Sequence, residues 1–285
     1  MSRKHIFISD VKIGDGEKIP FVAEIGVNHL GNYERAINMV DQALEGGANF
    51  IKFQTYIAEK RYEKNNPKFD EFTNLVKKWQ FDKSTEIKLW EYAKNKGAKI
   101  FTSVYDEDSV DFAYELGTLA YKIAAFELNN HKLIKKIISK KKPIIISCGL
   151  TNFKEIDELV KLLNENKSEY ILLHTVSSYP LAEKNSNLKK IYELKNRYDC
   201  PIGHSDHTAG TNIPILAAAA GANIIEKHFT DNPKLRLSDN FFSITKEQLK
   251  KIKFDLNYIY NVIHSPNFDE NDPEKFMRNF KKIIK

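Results

Sequence analysis

The chain has only two cysteines in 285 residues, Cys148 and Cys200, and they form no spacing motif. A disulfide framework would need more of them and is excluded. No long hydrophobic run is present. The longest, from Ile213 to Ile225, is broken by Pro214, Gly221 and Asn223 and is too short to span a bilayer. The opening residues MSRKHIFISD lack the apolar core of a secretion signal. The expectation is a soluble, cytoplasmic protein without membrane contact. There is also no arginine-rich arm and no ladder of basic and aromatic residues, which argues against nucleic-acid binding. The net charge of +6 is spread out, with short clusters such as Lys140-Lys141-Lys142 interleaved with Asp and Glu. Such a balance suits small anionic substrates. With 42% hydrophobic residues the chain has too much apolar material to be disordered.

What is present is a repeat. Eight short apolar runs read as strands: 21–28, 50–55, 99–104, 120–126, 143–149, 170–176, 201–207 and 223–230. They lack in/out alternation of polarity, as strands covered on both faces do. Segments of helical period separate them, for example YERAINMVDQALEGG, STEIKLWEYAKNKG and FKEIDELVKLLNENK, several stopping at glycine. Eight alternations predict an α/β fold, a (β/α)8 TIM barrel over residues 1–263. A doubly wound open sheet is the rival, weakened because no GxGxxG follows the first strand. Residues 1–20 read as an N-terminal β-hairpin, turning at Gly14-Asp15-Gly16 and plugging the barrel bottom. Residues 264–285 read as a linker-like tail. The stretch from about Ala58 to Asp82 is a long loop with a short helix, of the kind that shapes a substrate site.

Several strand positions are polar where a barrel interior should be apolar. With period two, Glu24 shares a face with Val22, Gly26 and Asn28; Lys52 and Gln54 face the interior; and Glu226 and His228 share a face with Ile224 and Thr230. Lys122 and Glu127 sit in and just after the fourth strand, and Ser205-Asp206-His207 ends the seventh. Lysine and glutamate inside a buried strand are costly unless paired or used. An internal Lys52–Glu24 ion pair is the structural alternative. Together these residues predict a polar catalytic cup at the C-terminal ends of the strands. His207 and His228 end adjacent strands and suit a divalent metal. His174 and His204 are read as structural, and Cys148 as buried and inert.

The motifs AEIGVNHLG (23–31), IKFQTY (51–56), AYKI (120–123), IISCG (145–149), LLHTVSSYP (172–180), IGHSDHT (202–208) and EKHFTD (226–231) resemble, in order and spacing, the sialic acid synthase family. The likeness covers roughly residues 15–263. It implies a TIM barrel that condenses phosphoenolpyruvate with an acetamido aldose, N-acetylmannosamine or a 2,4-diacetamido-trideoxyhexose, to a nonulosonic acid and phosphate. By motif, His207 and His228 would hold Mn2+ or Mg2+. Lys52, Lys122, Ser205 and Ser177 would bind phosphoenolpyruvate. Gln54, Tyr179 and Asp239 would face the sugar, with Glu127, Glu24 and Asp239 as catalytic groups.

The likeness has gaps. The third strand's usual Ser-Thr-Pro-Phe is Ser103-Val104-Tyr105-Asp106, a phosphate-binding serine has become Ala125, and a sixth-strand Asn is Ser177. Two lost hydroxyls would remove about 1–3 kcal/mol of phosphate binding unless replaced. Family members usually continue into an antifreeze-like domain that supplies an arginine to the sugar site of a dimer partner. FMRNFKKIIK here resembles only the preceding linker, which leaves three alternatives: a separate antifreeze-like chain provides that domain, with a homodimer as one assembly, Arg236 or Arg278 substitutes, or the acceptor is held differently. Two other readings are a metal-dependent barrel aldolase or lyase with another donor, and a non-catalytic sugar-binding relative.

Overall fold

The computed structural model describes residues 4–62, 64–264, 274, 277–278 and 281. Most of the linker-like segment 264–285 lies outside these. Eight parallel strands close on themselves: β3 (Phe21–Gly26), β4 (Phe50–Thr55), β5 (Ile100–Val104), β6 (Tyr121–Ile123), β7 (Ile144–Ser147), β8 (Tyr170–Thr175), β9 (Ile202–Asp206) and β10 (Ile225–His228). Closure is made by β10 pairing with β3, from Ile225 opposite Phe21 to His228 opposite Glu24. An open doubly wound sheet would leave both edges free, so that rival is excluded. All eight predicted strands are found, shorter at one or both ends except for 50–55.

The surrounding helices are α1 (Tyr33–Glu45), α2 (Phe69–Lys77), α3 (Lys83–Asn95), α4 (Glu107–Glu115), α5 (His131–Ser139), α6 (Phe153–Glu165), α7 (Lys189–Arg197), α8 (Asn212–Ala219) and α9 (Lys246–Ile263). Side chains cap many of their first turns. Asn32, Asp82, Asp106, Asn130 and Asn152 each accept a backbone N–H three residues on, and Asn152 with Glu155 completes a reciprocal capping box. Among the described residues no helix is long and apolar enough to cross a membrane.

Strand alternation divides the apolar residues into two cores. Outward-facing residues such as Ala23, Ile51, Phe53, Ile123, Ile146 and Leu172 pack under the helices. Inward-facing Val22, Phe50, Phe101, Ala120, Ile145, Ile171, Leu173 and Ile224 fill the lower barrel. The hairpin β1 (Ile6–Ile8) and β2 (Val11–Ile13) stoppers that inner core with Ile6, Ile8 and Ile13. The plug is as expected, but its turn is Ser9-Asp10, not Gly14-Asp15-Gly16. Ile8 pairs with Val11, and Ser9 takes φ 55°. Gly14 instead lets the chain pass His5, whose ring carbon would lie 2.4 Å from an added Cβ.

Candidate active site

Two residues up each strand from the inner apolar layer, the same inward face turns polar. Phe50 gives way to Lys52, Phe101 to Ser103, Ala120 to Lys122, Ile145 to Ser147, Leu173 to Thr175, and Ile224 to Glu226. These side chains, with Glu24 and Ser205, floor a cavity of about 450 Å³ at the C-terminal ends of the strands. Loops supply the rim, including Arg61, Leu75, Trp79, Tyr105, Tyr179 and Asp239.

Glu226 is the hub of the floor. Its Oε1 lies 3.0 Å from Lys52 Nζ and 3.1 Å from Lys122 Nζ, and accepts from Ser205 Oγ at 2.9 Å. Lys52 also reaches Glu24 Oε2 at 3.2 Å, and Glu24 Oε1 accepts from Gln54 Nε2 at 3.0 Å. The Lys52–Glu24 pair anticipated as a structural alternative is real, and it opens onto the cavity. All four charged groups are buried, so burial works against every charge and the partners decide the outcome. Burial holds Glu24 up at about 7 despite Lys52, and draws Lys122 down to about 8 despite Glu226. Burial also opposes the charge on Lys52, but Glu226 and Glu24 outweigh it and raise its pKa. Glu226 is pressed below the usual carboxylate range because Lys122 and Lys52 overcome the effect of its own burial. The sequence placed Glu226 on this face but gave it no role.

Gly26 makes the first-strand part of this network fit. The β3–β4 register shifts between Glu24 and Gly26, where Gly26 takes φ +52°. A Cβ there would stand 2.8 Å from Glu24 Oε1 and 3.0 Å from Gln54 Nε2. Gly26→Ala is therefore expected to lower unfolding free energy by about 1–2 kcal/mol from backbone strain alone. Chemical denaturation tests this, and an unchanged midpoint would refute the assigned strain.

At one wall His207 and His228 lie with ring centroids 5.6 Å apart, packed on Phe242 and, for His207, on Tyr179. His207 Nδ1 donates to the Val176 carbonyl at 2.9 Å, leaving Nε2 with its lone pair. His228 Nδ1 is buried without a hydrogen-bond partner, 3.5 Å from Asp239 Oδ2. Burial lowers the pKa of His207 to about 4 and that of His228 well below the usual value, with each other's charge adding for His228. Both are neutral imidazoles, the form that binds metal. Asp239 is raised to about 6 by burial. Among the described residues no group of three or more His, Cys, Asp or Glu side chains converges on one metal position. Two neutral imidazoles, one with a free Nε2 lone pair and one with an unpartnered buried Nδ1, are donors that suit a divalent ion, whose other ligands would have to be substrate oxygens or water.

The remaining expected residues are divided. Ser177 and Tyr179 line the cavity, and Ser177 Oγ and Thr175 Oγ1 are buried without partners. Gln54 lines it too, though its amide nitrogen is engaged with Glu24. Glu127 stands behind the wall. The short 3-10 turn Ala125–Glu127 after β6 presents Phe126 to the cavity, while Glu127 Oε2 accepts from Asn130 Nδ2 at 2.8 Å. Burial raises its pKa. Val104 packs in the outer core, so its missing hydroxyl is no loss from the floor, whereas Ala125 does line the cavity. Ser103, Ser147, Thr175, Ser177 and Ser205 still supply five hydroxyls. Arg236 and Arg278 are exposed and not on the cavity wall; among the described residues the rim guanidinium is that of Arg61, which the sequence did not reveal. His174 is held by the Ser186 carbonyl at 2.7 Å, and Cys148 is buried with its thiol pushed up to about 12, in keeping with their structural readings.

The NeuB family profile matches residues 39–266. The chain belongs to the NeuB family. It is 33% identical over 268 residues to the N,N'-diacetyllegionaminic acid synthase of Legionella pneumophila, covering 89% of this chain and 75% of that one. With the pseudaminic acid synthase of Campylobacter jejuni it shares 32% over 249 residues, 82% of this chain and 71% of the relative. The crystal structure of N-acetylneuraminic acid (sialic acid) synthetase from Leptospira borgpetersenii, in complex with citrate, superposes with a TM-score of 0.92 at 33% identity, covering 99% of this chain and 97% of that one. This NeuB-family barrel is an enzyme of the synthase class that those relatives represent.

Proposed function

We propose that this NeuB-family enzyme condenses phosphoenolpyruvate with an acetamido aldose to give a nonulosonic acid and phosphate. The observation that carries this reading is the floor: two buried lysines share one carboxylate, beside a neutral histidine pair and the two unpartnered hydroxyls of Thr175 and Ser177. Lys52 and Lys122 offer a trianionic donor cationic partners in a site sheltered from water. Ser177 and Thr175, whose hydroxyls have no partner, would donate to its phosphate oxygens in place of the hydroxyl missing at Ala125, and Ser205 would join them on turning from Glu226. In the reaction the methylene carbon of phosphoenolpyruvate attacks the aldehyde carbon of the open-chain sugar. Water adds at the carbon that bears the phosphate, and phosphate departs by C–O cleavage.

Glu24, with its pKa near 7, is the group we assign to accept the proton of that water. Asp239, near 6, carries enough proton at neutral pH to protonate the new alkoxide oxygen. A divalent ion on His207 and His228, Mn2+ or Mg2+, would supply Lewis-acid polarisation of the aldehyde. Glu127 would have to leave Asn130 to reach the reacting carbons, so we give it no proton step.

The test is phosphate release from phosphoenolpyruvate with Mn2+, using N-acetylmannosamine, 2,4-diacetamido-trideoxyhexoses and mannose, each omitted in turn. Release that depends on a single sugar is the expected result and names the acceptor. Absence of release with every sugar would reject phosphoenolpyruvate condensation and favour a barrel aldolase with another donor.

A further inference from the structure

Arg61 carries a charge that the chemistry above does not use. It follows the 3-10 turn Ala58–Lys60, in the segment between β4 and α3. Its guanidinium lies over Tyr105, 4.0 Å from the ring centroid, and over Tyr56 at 4.7 Å. Two hydrogen bonds hold that segment in place: Ile57 N–H donates to Asp106 Oδ2 at 2.9 Å, and Ala58 N–H to Gln80 Oε1 at 2.8 Å. Arg61 lines the cavity, yet its Nη1 is buried without a hydrogen-bond partner. Among the described residues no carboxylate lies within 4.0 Å of the guanidinium. A guanidinium stacked on two rings, with one buried N–H group left without an acceptor among the described residues, is completed by a ligand that brings it an acceptor atom.

The surroundings decide what kind of acceptor atom. Asp239 and Glu127 both lie within the field of Arg61. One guanidinium facing two carboxylates is a poor seat for a phosphate dianion, so an uncharged oxygen fits better. Beside it Val27, Leu75, Val76 and Trp79 form an apolar stretch of the same cavity. A carbonyl oxygen with a small alkyl group attached matches both surfaces at once.

We propose that Arg61 donates to the carbonyl oxygen of an acyl-amino group on the acceptor sugar, with the acyl methyl against the Val27–Leu75–Trp79 wall. Arg61 then sets the enzyme's preference for acylated over plain sugars. This rests on the condensation reading and deepens it.

The experiment compares kcat/KM for N-acetylmannosamine against mannose, and for a 2,4-diacetamido-trideoxyhexose against its unacylated counterpart, in wild type and Arg61→Ala. The KM of phosphoenolpyruvate is measured alongside. Arg61→Ala is expected to lose about 10- to 100-fold of the preference for the acylated sugar, the worth of a hydrogen bond from a charged donor. The KM of phosphoenolpyruvate should stay within about twofold, because Lys52 and Lys122 are untouched. An unchanged preference, or an equal loss for both sugars, would overturn the proposal while leaving the reaction standing. Wild-type enzyme that turns over neither sugar would overturn both. If Arg61→Ala does not fold, Arg61→Lys decides by the same ratio, because it keeps the charge over the rings but loses the planar pair of donors.

Discussion

Glu226→Gln is expected to lower kcat for phosphate release at least about 100-fold and to change how phosphoenolpyruvate affinity depends on pH. The side chain keeps its volume, so the effect reads charge and not a cavity. Glu226 is the first of the charges that keep the proton on Lys122, whose pKa burial has already drawn down to about 8. Without that carboxylate Lys122 titrates lower still. A lysine is charged below its pKa, so the donor should bind well in mild acid and weaken as pH rises through neutrality. Wild-type affinity should hold until pH approaches 8. In acid the variant should bind the donor at least as tightly as wild type, since a competing carboxylate is gone. The two KM–pH curves are therefore expected to cross. Parallel curves would show that Lys122 does not meet the donor. Glu226→Ala leaves two buried ammonium groups without their shared partner, and should lower stability by about 3–5 kcal/mol in denaturant titrations.

His228→Ala is expected to leave the fold intact and to remove metal-stimulated turnover, by at least about 100-fold if Lewis-acid stabilisation is worth several kcal/mol. The imidazole faces the cavity, and its Nδ1 has no hydrogen-bond partner to lose. Its ring contacts are with His207 and Phe242. The variant should melt within a few degrees of wild type, yet show no Mn2+ binding by calorimetry where wild type does. Full turnover of the variant in metal-depleted buffer would refute the metal assignment. A large loss of melting temperature would instead make His228 a packing residue.

Much of this architecture is legible in the sequence because parallel strands buried on both faces leave unbroken apolar runs, whose spacing counts the barrel. Period two also found much of the floor, since Glu24, Lys52 and Glu226 interrupt faces that are otherwise apolar. The importance of Glu226 was hidden because a contact shared by strands β4, β6, β9 and β10 needs the closed barrel to be seen. The hairpin turn was misread for a local reason. Gly14-Asp15-Gly16 carries a strong turn signal, but burial of Ile8 and Ile13 sets the pairing one turn earlier. Arg61 had no signal at all. Its role depends on a loop path fixed by Asp106 and Gln80, neither of which is near it in sequence. Glu127 is marked by its motif, and only the folded chain shows it turned toward Asn130.

The stopper formed by Ile6, Ile8 and Ile13 also has a kinetic meaning. With the lower barrel filled, ligands enter and leave the cup through its upper mouth alone. The proposed donor seat on Lys52 and Lys122 lies below the acceptor seat near Arg61 and Asp239. A sugar that arrived first would stand in the donor's path. For the proposed condensation, traffic through a single doorway would make turnover a queue, with phosphoenolpyruvate entering first, the sugar second, and the inorganic phosphate waiting behind the sugar product to leave.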